Sequence, residues 1–252
     1  MLTRSSSPSP ASDTALFKRT AGNLLFKHGA DWSACSARGL NRERTADAFA
    51  VAADGQVRAF AVADGVGSLP CSPAVSSAAA LAAIDWASGF QGAVVETDIE
   101  GLVSAVGASV LNQLSLTPGA GATTLASAFL ADGRGLVMTV GDSEALAVDR
   151  EGPARPLTEP DHVPSQPNVL LAWIDGTSPF TPHIIALDVL PHRLCLVTDG
   201  IVKVLSYDRI ADIARQSPPS ESARNLVLAA RHELAGDDVT AVVIGSGAPG
   251  DG

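Results

Sequence analysis

Residues 48–65 read AFAVAADGQVRAFAVADG, two apolar runs on either side of Asp54-Gly55. The runs, Ala48–Ala53 and Val57–Ala63, have the length of strands. Asp-Gly between such runs is typical of a β-hairpin, because both residues of a tight turn tolerate positive φ. The second run ends at Asp64-Gly65, and the residues after it are compatible with a helix and not with a returning strand. The stretch therefore predicts a buried hairpin that carries a carboxylate at the end of its second strand.

Hairpins and helices continue along the chain. Thr123–Ala131 and Leu136–Val140 flank Asp132-Gly133 and predict a second hairpin. Apolar residues at helical spacing predict helices, and short apolar runs predict further strands. The helices are Ser72–Ala87, one after the capping box Thr97–Glu100, Asp208–Ala214 and Glu221–Leu234; the strands are Arg193–Thr198 and Val239–Gly245. Because hairpins come in runs and helices in pairs, this order predicts an α+β fold of antiparallel sheets covered by helices.

Composition limits the class of protein. The chain has 252 residues, of which 46% are hydrophobic and 17% charged, which suits one folded domain and excludes disorder over most of its length. The net charge of −10, without a dense run of Lys and Arg, argues against binding to nucleic acid or to an anionic membrane. The Ser- and Pro-rich residues 1–20 predict a flexible tail, residues 21–246 a single domain and residues 247–252 a loose end.

The lack of a targeting signal in this sequence and the pattern of its cysteines predict a cytoplasmic protein. The N-terminus lacks the apolar core of a signal peptide, and no run approaches the ~18 apolar residues that span a bilayer. Cys35, Cys71 and Cys195 are odd in number and widely spaced. They predict neither a disulfide framework nor a zinc site.

Aspartates stand at the ends of the apolar runs, where a sheet rim could bring them together. Asp64, Asp142 and Asp199 each follow such a run, and Asp47 and Asp237 each precede one. Convergent carboxylates repel one another, and a divalent cation relieves that repulsion. Oxygen ligands without Cys or paired His favour Mg²⁺ or Mn²⁺. Chance placement is the alternative, because the chain has 27 acidic residues and Asp is an ordinary turn residue.

A series of segments carries a family resemblance over residues 28–245. In chain order they are Asn41–Phe49, Val62–Ser68, Gly121–Thr124, Val140–Ser143, Leu157–His162, Val197–Gly200 and Asp237–Thr240. They resemble the motifs of the PPM family, the metal-dependent protein phosphatases of the 2C type. The resemblance implies a four-layer α-β-β-α sandwich. It also implies a phosphoserine/phosphothreonine protein phosphatase, in which a metal-activated water attacks the phosphomonoester directly.

The resemblance also implies roles for particular residues. Arg42 would grip the substrate phosphate, and Asp47 would hold a metal-bound water. The ligands of two Mn²⁺ or Mg²⁺ ions, with a possible third, would be Asp64, the carbonyl of Gly65, Asp142 for the third ion, Asp199 and Asp237. The implied partners are a phosphorylated protein substrate and an opposing Ser/Thr kinase.

Departures from the family pattern leave further questions. Asp238 replaces the usual Asn, so two carboxylates compete for the last metal position, which the motif assigns to Asp237. The short region after His162 implies that the flap subdomain is almost missing. Trp32, Trp86 and Trp173 are predicted as core anchors.

Two other functions compete with an active phosphatase. One is a catalytically weak, phosphatase-like regulatory or binding module that retains metal. The other is a serine hydrolase in which Gly141-Asp142-Ser143 supplies the nucleophile. The sequence argues against the hydrolase, because no His has an Asp three residues before it.

Overall fold

The computed structural model describes residues 24–40, 42–67, 69–89, 98–163, 165–233 and 235–246. The predicted tail and loose end lie outside these residues. The strands are β1 (Leu24–His28), β2 (Trp32–Ala37), β3 (Ala48–Ala52), β4 (Arg58–Ala63), β5 (Leu125–Ala131), β6 (Arg134–Val140), β7 (Glu144–Val148), β8 (Arg155–Pro156), β9 (His162–Val163), β10 (Gln166–Leu170), β11 (His183–Leu187), β12 (Arg193–Val197) and β13 (Val239–Gly245). The helices are α1 (Ser72–Ser88), α2 (Ile99–Leu116), α3 (Asp199–Val202), α4 (Tyr207–Gln216) and α5 (Pro219–His232).

Two large antiparallel sheets form the centre of the molecule. One has six strands in the order β1-β2-β13-β12-β7-β8, and the other has five in the order β11-β6-β5-β4-β3. The five-stranded sheet grows from the two predicted hairpins, β3–β4 and β5–β6, which pair through β4 and β5. Strands β9 and β10 pair separately, in the region where the sequence predicts a shortened flap.

The two sheets and their helices form four layers. The apolar face between the sheets includes Phe49 and Phe60 from one sheet and Leu196 from the other. Helices α1 and α2 cover the outer face of the five-stranded sheet, and α4 and α5 cover that of the six-stranded sheet. Each sheet is thus buried on both faces, which explains why its strands read as nearly continuous apolar runs. The predicted α+β class and the implied α-β-β-α sandwich are both confirmed.

The two hairpin turns differ from each other. Asp132 (φ 51°) and Gly133 (φ 76°) both lie in the left-handed region, as the tight β5–β6 turn requires. Neither Asp54 nor Gly55 has positive φ. The β3–β4 reversal is instead spread over residues 53–57, so the prediction of a tight turn at Asp54-Gly55 was wrong.

Helix α2 is capped by Asp98, whose carboxylate accepts the Gly101 N–H (3.1 Å). The predicted cap, Thr97, lies outside the described residues. Among the described residues, α2 is the one helix long and apolar enough, by length and composition, to cross a membrane. One such helix is weak evidence for a span, because core helices also pass this test; Leu102, Val106 and Val110 pack into the core, and 17% of the helix is buried.

Candidate active site

Strand ends from both sheets meet at one edge of the sandwich. Ala48 pairs with Ala63, so β3 begins and β4 ends at the same place, with Asp47 and Asp64 just beyond. In the other sheet β7 begins, β12 ends and β13 begins at one common edge. The aspartates at that edge are Asp142, Asp199 and Asp237. The antiparallel topology therefore assembles the carboxylates that the sequence analysis singled out.

A cavity of about 770 Å³ opens between these strand ends. The sequence-predicted residues that line it are Arg42, Asp64, Gly65, Asp142, Asp199 and Asp237. Asp47 does not line it but is buried, and its Oδ2 accepts a hydrogen bond from Thr198 Oγ1 (2.8 Å). Apolar residues also line the cavity, and we refer to Leu69, Val169, Leu170 and Trp173 among them as its apolar wall.

The backbone around Asp64 is fixed by the Gly121–Thr124 segment. The Asp64 N–H donates to Thr124 Oγ1 (3.1 Å), and Thr123 Oγ1 donates to the Asp64 carbonyl (2.9 Å). Gly141 has φ +87°, and a Cβ there would lie 2.6 Å from Thr124 Cγ2. Only glycine therefore lets the turn before Asp142 approach this segment.

Burial and then neighbouring negative charge raise the pKa of three of these carboxylates. Burial, followed by the charge of Asp238, raises the pKa of Asp47 to about 8. Burial, followed by the charge of Asp199, raises the pKa of Asp142 to about 7. The pKa of Asp64 also lies well above its usual value, because of desolvation and then the charge of Asp47. The site is thus rich in negative charge that the surrounding protein compensates poorly.

Two ion pairs compensate part of this charge. Arg42 Nη2 lies 2.6 Å from Asp237 Oδ1, and the Lys203 ammonium contacts Asp199 Oδ2. With these pairs in place, no group of three or more Asp, Glu, His or Cys residues in the described ranges is arranged to hold a metal ion. A divalent cation would have to compete with Arg42 and Lys203 for the carboxylate oxygens.

The donor set nonetheless fits a hard cation. Within the described part of the chain, Asp47 Oδ1 and Asp199 Oδ1 are buried and have no hydrogen-bond partner. A buried carboxylate oxygen without a donor costs free energy unless a ligand compensates it. Aspartate oxygens and a backbone carbonyl are ligands typical of Mg²⁺ and Mn²⁺.

The structure distinguishes Asp237 from Asp238. Asp238 is 3% exposed, and its two oxygens accept the N–H groups of Gly39 and Ala46, both at 2.7 Å. A Cβ at Gly200 would lie 2.0 Å from the Asp238 carbonyl, so the chain packs tightly on that side. Asp238 therefore holds the loop before β3, and Asp237 is the carboxylate left at the cavity.

Three features were missed or misjudged in the sequence. Lys203 was not considered, although its position four residues after Asp199 is the spacing at which helical ion pairs form. Trp173 was predicted as a core anchor, which was wrong: it is 43% exposed and lines the cavity. The third feature is Glu144, which the sequence analysis did not identify. It lines a second cavity of about 400 Å³ that shares lining residues with the first, and its carboxylate accepts a hydrogen bond from Tyr207 (2.9 Å).

Ser143 does not have the environment of a nucleophile. It is 1% exposed, and its hydroxyl is hydrogen-bonded to the Thr124 hydroxyl (2.6 Å). An acyl-transfer nucleophile needs an exposed hydroxyl beside a general base. The geometry therefore disfavours the serine hydrolase.

Comparison with known proteins agrees with this geometry. The sequence model of the family described as protein phosphatase 2C matches residues 36–236. No curated protein matches the sequence.

Several solved bacterial phosphatases share the fold. The serine/threonine phosphatase PstP/Ppp of Mycobacterium tuberculosis is 22% identical, with a TM-score of 0.73 over 88% of this chain and 98% of that one. Its catalytic domain is also known in complex with two manganese ions. The PPM Ser-Thr phosphatase MsPP of Mycobacterium smegmatis, in complex with cacodylate, is 26% identical, with a TM-score of 0.70 over 85% and 97%. Stp1 of Staphylococcus aureus is 14% identical, with a TM-score of 0.72 over 90% and 95%. With the family match extending over well more than half of its length, the chain belongs to the protein phosphatase 2C family.

Proposed function

We propose that this protein is a Mg²⁺- or Mn²⁺-dependent phosphatase of phosphoserine and phosphothreonine in proteins. The observation that carries the proposal is the single cavity lined by four aspartates from both sheets, with Arg42 at the same cavity. The two manganese ions in the PstP catalytic domain, which shares this fold, support the choice of metal.

The proposed metal ligands are the residues that line the cavity. They are Asp64, the carbonyl of Gly65, Asp199 and Asp237; Asp142, which the family resemblance assigns to a third ion, lines the same cavity. When bound, two divalent cations supply a nucleophilic water near neutral pH and neutralise the charge that develops on the phosphoryl oxygens. Removing mutual repulsion among the carboxylates would also stabilise the folded chain.

Arg42 and Asp47 are the residues proposed to handle the substrate and the water. The planar guanidinium of Arg42 can bind two phosphate oxygens at once, which suits phosphoryl recognition better than a lysine would. To do so it exchanges its bond to Asp237 for the substrate. Asp47 keeps Oδ2 on Thr198 and leaves Oδ1 without a partner in the described residues, which suits an acceptor that orients a water.

The apolar wall of the cavity supports a protein substrate. Leu69, Val169, Leu170 and Trp173 stand in the same cavity as the phosphate-binding Arg42. A side chain that flanks the phosphorylated residue could bury apolar surface there, which a small phosphate ester cannot do. The opposing kinase, a cytoplasmic location and the lack of nucleic-acid binding stay predictions from the sequence.

The direct test is hydrolysis of p-nitrophenyl phosphate and of a phosphothreonine peptide. The protein is assayed with Mn²⁺, with Mg²⁺ and with EDTA, beside Asp64→Asn. We expect turnover that requires metal and is lost in the variant. A folded protein that binds Mn²⁺ but hydrolyses neither substrate would support the alternative, a regulatory module that retains metal with little turnover.

A further inference from the structure

Lys203 places a positive charge inside the carboxylate cluster. It follows α3, and its N–H donates to the Asp199 carbonyl (2.9 Å) while its ammonium contacts Asp199 Oδ2. Its side chain is 34% exposed and that of Asp199 only 11%. Lys203 lines both the main cavity and the second one, as does Asp199.

Asp142 lines the same two cavities as the Lys203–Asp199 pair. After burial, the charge of Asp199 raises the pKa of Asp142, while that of Lys203 lowers it. Two carboxylates in contact need a shared proton or a cation to offset their repulsion. In this chain the ammonium of Lys203 is a cation that the protein itself places beside Asp199.

The Lys203 pair is held locally, unlike the Arg42 pair. Arg42 reaches Asp237 across 195 residues of sequence, from a loop. Lys203 is four residues from Asp199, and a backbone hydrogen bond between the same two residues fixes their separation. Arg42 can leave its partner for a substrate, whereas the geometry of α3 keeps the Lys203 ammonium beside Asp199.

We propose that the Lys203 ammonium takes the position of the third divalent cation, so that this protein binds two metal ions instead of three. The proposal rests on the proposed metal-dependent function. An ammonium and a divalent cation that use the same oxygens of Asp142 and Asp199 exclude each other, because they compete for the same lone pairs and their charges repel. Asp64, the carbonyl of Gly65, Asp237 and the other oxygen of Asp199, Oδ1, which has no hydrogen-bond partner among the described residues, remain available to the two ions.

The test counts bound ions directly, without using turnover. Free Mn²⁺ is measured by its electron paramagnetic resonance signal during titration of the metal-free protein. We expect about two Mn²⁺ per chain for the wild type and for Lys203→Arg, and about three, the additional one weaker, for Lys203→Met and Lys203→Gln. The double variant Lys203→Met with Asp142→Asn should return to about two.

Matched variants make the outcomes decisive. Lys27→Met removes a lysine on β1, outside both cavities, and should leave the count at about two. Three ions in the wild type, or an unchanged count in both neutral Lys203 variants, would overturn the role of Lys203 while leaving the phosphatase proposal intact. No bound Mn²⁺ in any variant would overturn the proposed metal-dependent function itself, and the role of Lys203 with it.

Discussion

The carboxylate cluster at the sheet edge and the carboxylate of Asp175 hold negative charge in opposite ways. Asp175 accepts hydrogen bonds from the N–H and hydroxyl groups of Thr177 and Ser178, between 2.7 and 3.0 Å. Slight burial opposes its charge, but these four donors, the Ser178 N–H first, lower its pKa to about 2. Asp47 and Asp64 have few donors, and their pKa values are raised. A carboxylate that has its own hydrogen-bond donors stabilises the fold as it stands. Carboxylates that lack donors are stabilised only when a cation binds to them.

The largest expected effect is that of Asp64→Asn. The substitution removes one charge from a repelling cluster, so the metal-free variant should melt at the same temperature as wild type or higher. Mn²⁺-dependent hydrolysis of p-nitrophenyl phosphate should fall by more than the roughly 10–100-fold typical of residues behind the ligands. A lower melting temperature that accompanies the loss of activity would show that Asp64 stabilises the fold and is not specifically a metal ligand.

Asp237→Asn and Asp238→Asn apply the same comparison to neighbouring residues. Asp237→Asn should cost activity and Mn²⁺ affinity with little change in stability. Asp238→Asn should destabilise the fold by about 1–3 kcal/mol, because the amide would turn an N–H toward the N–H of Gly39 or Ala46. Urea unfolding of the metal-free proteins measures the second effect, and Mn²⁺ titration the first. The reverse pattern would move the metal position to Asp238.

The pH dependence of the metal-free protein tests the charge in the cluster. Folding raises the pKa of Asp142 to about 7 and that of Asp47 to about 8, from an ordinary value of 3.8. Between pH 3.8 and about 8 the folded chain therefore binds more protons than the unfolded chain. The free energy of unfolding falls as pH rises through this range. The slope is about 1.4 kcal/mol per pH unit for each extra proton.

Thermal melting between pH 5.5 and 8.5 is the measurement. The melting temperature of the metal-free protein should fall over this range, and less steeply in Asp142→Asn. Excess Mn²⁺ should reverse the trend, since metal binding requires the deprotonated carboxylates. A metal-free melting temperature that rises with pH would contradict the raised pKa values.

Much of the fold could be predicted because its central hairpins carry local signals. The hairpins β3–β4 and β5–β6 are apolar runs with turn residues between their strands; α5 shows a clear apolar stripe, and α1 is Ala-rich. Strands β1 and β2 were not predicted: β2 reads WSACSA, small residues without strong alternation, and its neighbour β13 lies about 200 residues away in sequence. Such a pairing depends on tertiary contacts that no local window contains.

In the candidate site, too, some residues could be predicted from local sequence and others could not. Strand-ending aspartates such as Asp64 and Asp199 could be found from the sequence, since the end of a buried strand is a local signal. The roles of Asp238, Lys203 and Trp173 depend on what lies across the cavity or the loop, and only the folded chain supplies that. Adjacent residues in one motif thus differ in function because their neighbours in space differ.

Asp175→Ala tests the opposite side of the comparison, with a moderate effect. Loss of the acceptor for Thr177, Ser178 and the Trp173 indole N–H (3.3 Å) should destabilise the protein by about 1–2 kcal/mol. Because Asp175 does not line the main cavity, kcat for p-nitrophenyl phosphate should stay within about twofold of wild type. Urea unfolding and steady-state kinetics measure the two quantities. A large loss of kcat with an unchanged free energy of unfolding would show that Asp175 acts in catalysis and does not stabilise the fold.

The smallest effect is expected from Trp173→Ala, which removes apolar area without touching a carboxylate of the cluster. If the apolar wall binds a residue beside the phosphorylated one, KM for a phosphothreonine peptide should rise by about 3–10-fold, as losing part of a buried side-chain contact implies. KM for p-nitrophenyl phosphate, which has no flanking residue, should stay unchanged. Leu171→Ala is the matched control, because Leu171 is 62% exposed but does not line the cavity. A Trp173→Ala effect of equal size on both substrates would mean that the indole shapes the phosphate site itself, and the wall would then not select among protein substrates.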